Sequence, residues 1–239
     1  MKQGNYYTIQ KLLGRSYSWG ASPMNITVIC GCQRKNSKCE YLSRYMVQSL
    51  KAMRGIKPKI LSFADNPFPF WKDPSCFDTK DWSKFWSPIS EELRDSDGFS
   101  FVTPEPTANF ATGVRNFFDL CHEHELDHKP CLVVSILSEY NKSLSLYEIN
   151  SSTRMCIIPE QVVVKDTSFL SCDSDGDCVY VDDYISKKMN YSLQVLVEYT
   201  RALAAVRKHQ AQVLEKEKAK TTASSKKKKS VSQKKKSVS

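Results

Sequence analysis

The sequence predicts an α/β protein: a doubly wound sheet of five parallel strands in the order 2-1-3-4-5, followed by a long terminal helix and a basic tail. Three observations carry this. Apolar runs of strand length recur along the chain, and they are continuous rather than alternating, as strands covered on both faces are. Segments with apolar residues three and four apart lie between them, as crossover helices require. Positive charge is concentrated at the C-terminal end.

The strands are expected at residues 26–30, 58–62, 99–103, 131–136 and 155–164. Between the first two, Tyr41, Leu42, Tyr45, Met46, Leu50 and Met53 give a helix with one buried stripe. A second helix is expected over residues 82–95, broken or begun near Pro88. A third is expected over residues 110–125, with Phe110, Val114, Phe117, Phe118 and Cys121 on its apolar face. Residues 144–154 read as a weaker fourth helix. Residues 184 to about 218 read as a long fifth, whose stripe of Leu193, Leu196, Val197, Leu203 and Ala204 fades after Val206. In such a sheet ligands bind at the carboxyl ends of the strands, so the loops of interest begin at Gly31, Ser62, Thr103 and Ser135.

Charge divides the chain of 239 residues. Residues 207–239 hold twelve Lys and Arg against Glu215 and Glu217, which leaves 23 basic and 24 acidic residues before them. Residues 1–206, which include the body at 24–206, are thus near neutral, and the net +9 belongs to the tail. Two lysine blocks with the same Ser-Val-Ser trailer form a low-complexity repeat with nothing apolar to bury, a disordered tail expected from composition. It either solvates the chain end or attracts a polyanion through residues 216–239: nucleic acid, acidic protein or a membrane surface. No apolar run approaches the roughly 18 residues of a membrane span. Nine scattered cysteines, an odd number, read as thiols of an intracellular reducing compartment, with cytoplasm first and nucleus or organelle as alternatives. Residues 1–23 carry Lys2, Lys11 and Arg15 and no acid. They read as an unstructured extension, a start at Met24 or a faint transit peptide.

The loop Gly31-Cys32-Gln33-Arg34-Lys35-Asn36-Ser37 opens a helix. Amides at the helix N-terminus, the Ser37 hydroxyl and the charges of Arg34 and Lys35 suit a phosphate, and they equally suit a solvated, capped turn. Neither the P-loop nor the dinucleotide glycine spacing occurs among the eight glycines. The stretch Thr103-Pro104-Glu105-Pro106-Thr107-Ala108-Asn109-Phe110, continuing to Asp119, resembles without a gap the PEYNGSIPGALKNALDW segment of the NADPH-dependent FMN reductase family. Pro104, Glu105, Asn116 and Asp119 match, and Arg115 stands for the Lys. The first loop is similar to that family's GSxRxxSxN phosphate loop at Gly31, Arg34 and Ser37. Weaker echoes extend the resemblance over roughly residues 25–205.

The resemblance implies a flavodoxin-like fold, FMN at the strand ends, hydride transfer from NADPH to the flavin, and assembly as a homodimer. The flavin then carries the redox chemistry, so no catalytic side chain is expected. Its contacts fall on Cys32, Arg34, Ser37 and Cys39 in the first loop, Pro104, Glu105, Pro106, Thr107 and Asn109 in the third, and Ser135 and Tyr140 in the fourth. The pattern is altered there. Cys32 replaces the family's Ser and Cys39 its Asn or Thr, while Pro106-Thr107 replaces the Tyr-Asn pair beside the ring. The loop after Ser135 has lost its glycines. The expectation is an oxidoreductase with weakened FMN binding. The alternative from another class is a non-catalytic scaffold that meets a polyanion through the tail.

Other constellations read as structural. Cys121, His122, His124, His128 and Cys131 fit no standard zinc spacing. Asp173-Ser174-Asp175-Gly176-Asp177 has its glycine at the wrong offset for a calcium loop. Cys32 and Cys39, close to a helix N-terminus, are candidates for lowered pKa values. A Cys30–Cys32 redox pair is disfavoured because Cys30 belongs to a buried strand.

Overall fold

The structure is a computed structural model that describes residues 23–66, 68–72, 77, 79–105, 111–122, 124–137, 153–165, 171–172, 178–179, 183–213 and 215–216. Five parallel strands, β1 (Met24–Cys30), β2 (Ile56–Ser62), β3 (Gly98–Glu105), β4 (Pro130–Leu137) and β5 (Cys156–Lys165), form one sheet in the order β2-β1-β3-β4-β5. The doubly wound, flavodoxin-like order expected from the alternation of strands and helices is the one observed. The helices are α1 (Lys38–Lys51), α2 (Lys80–Asp95), α3 (Thr112–Leu120) and α4 (Asp183–Ala202), and a two-residue pair, β6 (Ser171–Cys172) and β7 (Cys178–Val179), stands apart from the sheet.

Each face of the sheet has its own core. On one, Ile26, Val28 and Cys30 of β1 and Leu132 and Val134 of β4 pack with Leu42, Met46 and Leu50 of α1 and Met189, Leu193 and Leu196 of α4. On the other, Ile29, Phe99, Phe101 and Val133 pack with Trp82, Trp86, Ile89 and Leu93 of α2 and Val114, Phe117 and Phe118 of α3. Buried on both faces, β3 and β4 cannot show alternation, which is why their apolar runs are unbroken. The outer strand β2 differs: Lys57, Lys59 and Ile60 are exposed, and Lys57, Pro58 and Lys59 make a poor template for further pairing.

Three helices depart from expectation. α2 is capped at Thr79, whose Oγ1 accepts from Trp82 N at 3.1 Å, and it runs straight through Pro88. The stripe Trp82, Trp86, Ile89 and Leu93 on one buried face outweighs the roughly 3 kcal/mol that an internal proline costs. α3 ends at Leu120, because Cys121 is extended (φ −68, ψ 137) and Glu125 folds back to accept from the amide of His122 at 2.8 Å. The other carboxylate oxygen of Glu125, fully buried, accepts from Trp86 Nε1 at 3.0 Å. The last helix is interrupted by a turn at Leu203, after which residues 204–213 are helical again. Its buried stripe stops at Thr200, and Arg207 then ties the chain to the body, donating to Asp97 Oδ1 at 3.0 Å and to the Thr200 carbonyl at 3.2 Å. Residue 110 and most of the expected fourth helix, at 144–154, lie outside the described residues.

Trp82, Trp86, Phe117 and Phe118 are each 7% exposed or less within the single chain, so this aromatic group is core and leaves no surface for a partner. They meet one another, with the Trp82 and Trp86 rings stacked at 5.2 Å. Among the described residues the exposed aromatics are Phe70, Trp71, Tyr184 and Tyr199, of which Phe70 and Trp71, at 68% and 43%, are adjacent in the chain.

Candidate functional site

The loop from Gly31 to Ser37 joins the end of β1 to the head of α1. Gly31 is required by packing: its N–H donates to the Val102 carbonyl at 2.8 Å, and a Cβ there would lie 2.5 Å from Val114 Cγ2. Gly113 is pressed from the other side, since a Cβ would lie 3.0 Å from Gln33 Nε2. The loop is thus clamped between β3 and α3. Ser37 is the N-cap of α1, its Oγ accepting from Glu40 N at 3.3 Å. The Glu40 carboxylate accepts from Asn36 N at 2.8 Å and pairs with Arg44 at 2.5 Å. Residues 33–36 are exposed, while Cys32, Ser37 and Cys39 are buried.

The sulfurs define the electrostatics. Cys32 is lowered from 9.0 to about 5, first by the thiol of Cys39, which donates to it, and then by the Arg34 amide and the Ser37 and Arg34 side chains, against the opposing effect of burial. Because the Ser37 oxygen already accepts from Glu40, its hydroxyl hydrogen can serve Cys32. Cys39 moves the other way, raised by its bond to Cys32 and by burial. Burial pushes Cys30 up to about 11. Arg34 and Ser37, expected to cradle a phosphate, are thus among the groups that lower Cys32.

Ser135 Oγ donates to Glu105 Oε1, and both side chains are fully buried, so they tie β3 to β4 where Thr103 pairs with Ser135 in the ladder. Pro104 is partly exposed, its carbonyl accepting from Thr103 Oγ1 at 3.2 Å. Pro106, Thr107, Asn109 and Tyr140 lie outside the described residues, as does the loop after Leu137. Of the expected site, the structure places Cys32, Arg34 and Ser37 in the loop and Cys39 in the first turn of α1, and it joins Glu105 to Ser135 at the strand ends. Asn116 receives a packing explanation: its amide donates to the Pro69 carbonyl at 2.9 Å and accepts from Trp71 N at 2.8 Å, pinning the segment after β2 onto α3. Gln33 was not singled out from sequence, and its contact with Gly113 has no signal short of the fold.

A five-stranded parallel sheet of order 2-1-3-4-5 with helices packed on both faces defines a flavodoxin-like α/β protein. Within that class the chain belongs to the NADPH-dependent FMN reductase family, whose sequence profile matches residues 24–168, more than half of its length. Solved structures share the fold. FerB, a flavoenzyme NAD(P)H:(acceptor) oxidoreductase from Paracoccus denitrificans, is 16% identical, with a TM-score of 0.56 over 75% of this chain and 98% of that one. An oxidoreductase from Corynebacterium diphtheriae is 15% identical, with a TM-score of 0.52 over 77% and 97%. The NADH:FMN oxidoreductase EMOB, in its apo form, is 17% identical, with a TM-score of 0.56 over 72% and 88%. No curated protein matches the chain.

Proposed function

We propose that this protein is a reductase-like flavoprotein that takes FMN weakly at the strand carboxyl ends and uses NADPH as the hydride donor. The observation that carries the reading is the family match over residues 24–168, with Gly31, Arg34 and Ser37 of the loop at the head of α1 standing where the family's phosphate loop does. Those groups would hold the phosphate. Glu105 and Ser135 would fix the strand ends beneath the flavin, and Pro106, Thr107, Asn109 and Tyr140 would border its ring. Bound FMN supplies hydride chemistry, and the chain supplies binding and orientation.

Weakness follows from what the site lacks. A lost stacking contact of about 1 kcal/mol and a few lost hydrogen bonds of about 1 kcal/mol each lower affinity by two to three powers of ten. A homodimer goes with this reading, supported by the exposed Phe70 and Trp71. A second reading, a non-catalytic scaffold that binds a polyanion through the Lys-rich tail, is favoured by the thiolate already seated among the phosphate donors.

Titration of the apoprotein with FMN, followed by quenching of flavin fluorescence, tests the first reading. Saturable, weak, stoichiometric binding that Arg34→Ala removes and Pro106→Tyr improves supports it, as does flavin-dependent NADPH oxidation. No quenching at millimolar FMN rejects it in favour of the scaffold.

A further inference from the structure

We propose that the amino-terminal edge of the sheet is a docking surface for the phosphate backbone of a nucleic-acid duplex, formed jointly by the folded body and the basic chain extensions that leave from it. The proposal rests on the polyanion reading of the tail and gives that reading a partner and a seat on the body. A run of hydrogen bonds draws the edge together. Met24 N donates to the Gly55 carbonyl at 2.9 Å, Asn25 N to Asp97 Oδ2 at 2.9 Å, and Arg207 to Asp97 Oδ1 at 3.0 Å. The corner between α1 and β2, the start of β1, the end of α2 and the root of the tail are therefore neighbours. Exposed cations stand along this edge: Lys51, Arg54 and Lys57 at the corner, Arg94 in the last turn of α2, and Lys208 next to Arg207. Among the described residues, none of them has an ion-pair partner. The acids are fewer or already answered. Asp97 pairs with Arg207 and Asp127 with Arg154, which leaves Asp95 and Glu91 exposed.

The extensions bring the same sign to this edge. Residues 1–22, which lead into β1, hold Lys2, Lys11 and Arg15 and no acid, and the chain beyond Arg207 holds the two lysine blocks. The opposite sign gathers in residues 166–183, which follow the carboxyl end of β5 and contain six aspartates with no Lys or Arg. Cations thus enter and leave at the amino ends of the strands, and the resulting field turns that edge toward a polyanion. A duplex fits better than the alternatives. Among the described residues, the large apolar side chains exposed at this end are Tyr199 and Val206, too few to seat a membrane or to stack a series of unpaired bases. Four strand spacings of about 4.8 Å make the edge about 19 Å across, and a duplex presents one negative charge per roughly 1.7 Å of its axis. The seat lies at the far end of the strands from the flavin loops, so duplex and flavin do not compete.

The test uses the full chain and a labelled DNA duplex of about 20 base pairs, with fluorescence anisotropy read over a salt series. One variant combines Arg54→Gln, Lys57→Gln and Arg94→Gln at the edge. A second, of equal charge, combines Lys72→Gln, Lys80→Gln and Lys84→Gln, all exposed at or before the head of α2 and so toward the carboxyl ends of the strands. Unchanged melting temperatures show that these surface changes leave the fold intact. At about 100 mM salt the edge variant should bind about tenfold more weakly or worse, and its plot of log K against log salt should flatten by about 3, one unit per lost contact. The second variant should stay within about twofold of wild type. Three results would overturn the proposal: no duplex binding by the full chain, equal weakening in both variants, or an edge variant that binds like wild type. Vesicles of anionic lipid bound through the same three edge residues, with the duplex left unbound, would assign the surface to a membrane instead. Binding unchanged after deletion of residues 219–239, with the edge variant still weakened, would defeat the tail reading on which the joint surface rests.

Discussion

Replacing Gly31 by Ala tests whether the loop is held by packing against α3. The added Cβ would sit 2.5 Å from Val114 Cγ2 and 3.3 Å from the Val102 carbonyl, well inside van der Waals contact. Val114 is fully buried and its β-branched side chain has few rotamers to escape into. Overpacking of this kind costs about 1–3 kcal/mol, and at about 2–4 °C per kcal/mol in a domain of this size the melting temperature should fall by several degrees. Val114→Ala, which empties a buried site, should cost about 2 kcal/mol by itself. In the double variant the new methyl occupies space that the valine vacates, so the combined loss should be smaller than the sum of the single losses by about 1 kcal/mol or more. Urea melts of the four proteins give the comparison. If the two losses add to within about 0.5 kcal/mol, the contact between loop and α3 is not what requires glycine, and the argument fails.

Other outcomes follow from the same contacts. Lys129 is buried, its Nζ donating to the carbonyls of Leu93 at 2.5 Å, Arg94 at 2.9 Å and Glu125 at 2.9 Å, and burial lowers it to about 8. Lys129→Met strips a shared donor from the end of α2 and should cost about 3 kcal/mol in chemical denaturation; a loss under about 1 kcal/mol would mean that water replaces the ammonium. Cys32 releases its proton near pH 5 in the folded chain and near 9.0 in the unfolded one, so folding releases a proton in that window. The stability of wild type relative to Cys32→Ser should therefore rise with pH from 5 to 9, by at most about 1.4 kcal/mol per pH unit, and be lost as pH falls toward 5. Cys39, raised instead, bears on stability only above that window. Deletion of residues 219–239 should leave the melting temperature within about 1 °C while abolishing salt-sensitive RNA binding in a filter assay; binding retained with the same salt slope places the basic surface elsewhere.

The scaffold was legible because burial writes itself into composition. Phe99, Phe101, Val102 and the run from Cys131 to Val134 have no polar face to show, and they form the two central strands. What misled was local. Pro88 reads as a break, but the stripe around Trp82 and Trp86 decides the helix. Cys121 reads as a continuing apolar face, but Glu125 turns the chain by accepting from His122, a bond that neither residue announces. At the site, Gly31, Arg34 and Ser37 could be read from their order beside a strand end. The role of Cys32 could not, because its charge arises from Cys39, Ser37 and Arg34 brought around one sulfur by the fold.

That sulfur also sets a limit on flavin binding, and the limit can be measured. A phosphate held by Arg34 and Ser37 would sit against the Cys32 thiolate, since both draw on the same donors. Two unit charges about 5 Å apart repel by about 3 kcal/mol at an effective dielectric constant near 20, and screening at a partly exposed loop reduces this. Cys32→Ser removes the charge, restores a hydroxyl where the family carries one, and leaves Arg34 and Ser37 free to turn to the ligand. FMN affinity at pH 7 should accordingly tighten by one to two powers of ten, read from fluorescence quenching. Riboflavin, which has no phosphate, should bind equally to both proteins. If Cys32→Ser leaves FMN affinity unchanged, or tightens riboflavin as much as FMN, the thiolate and the phosphate do not share a seat, and the phosphate must be sought away from the head of α1.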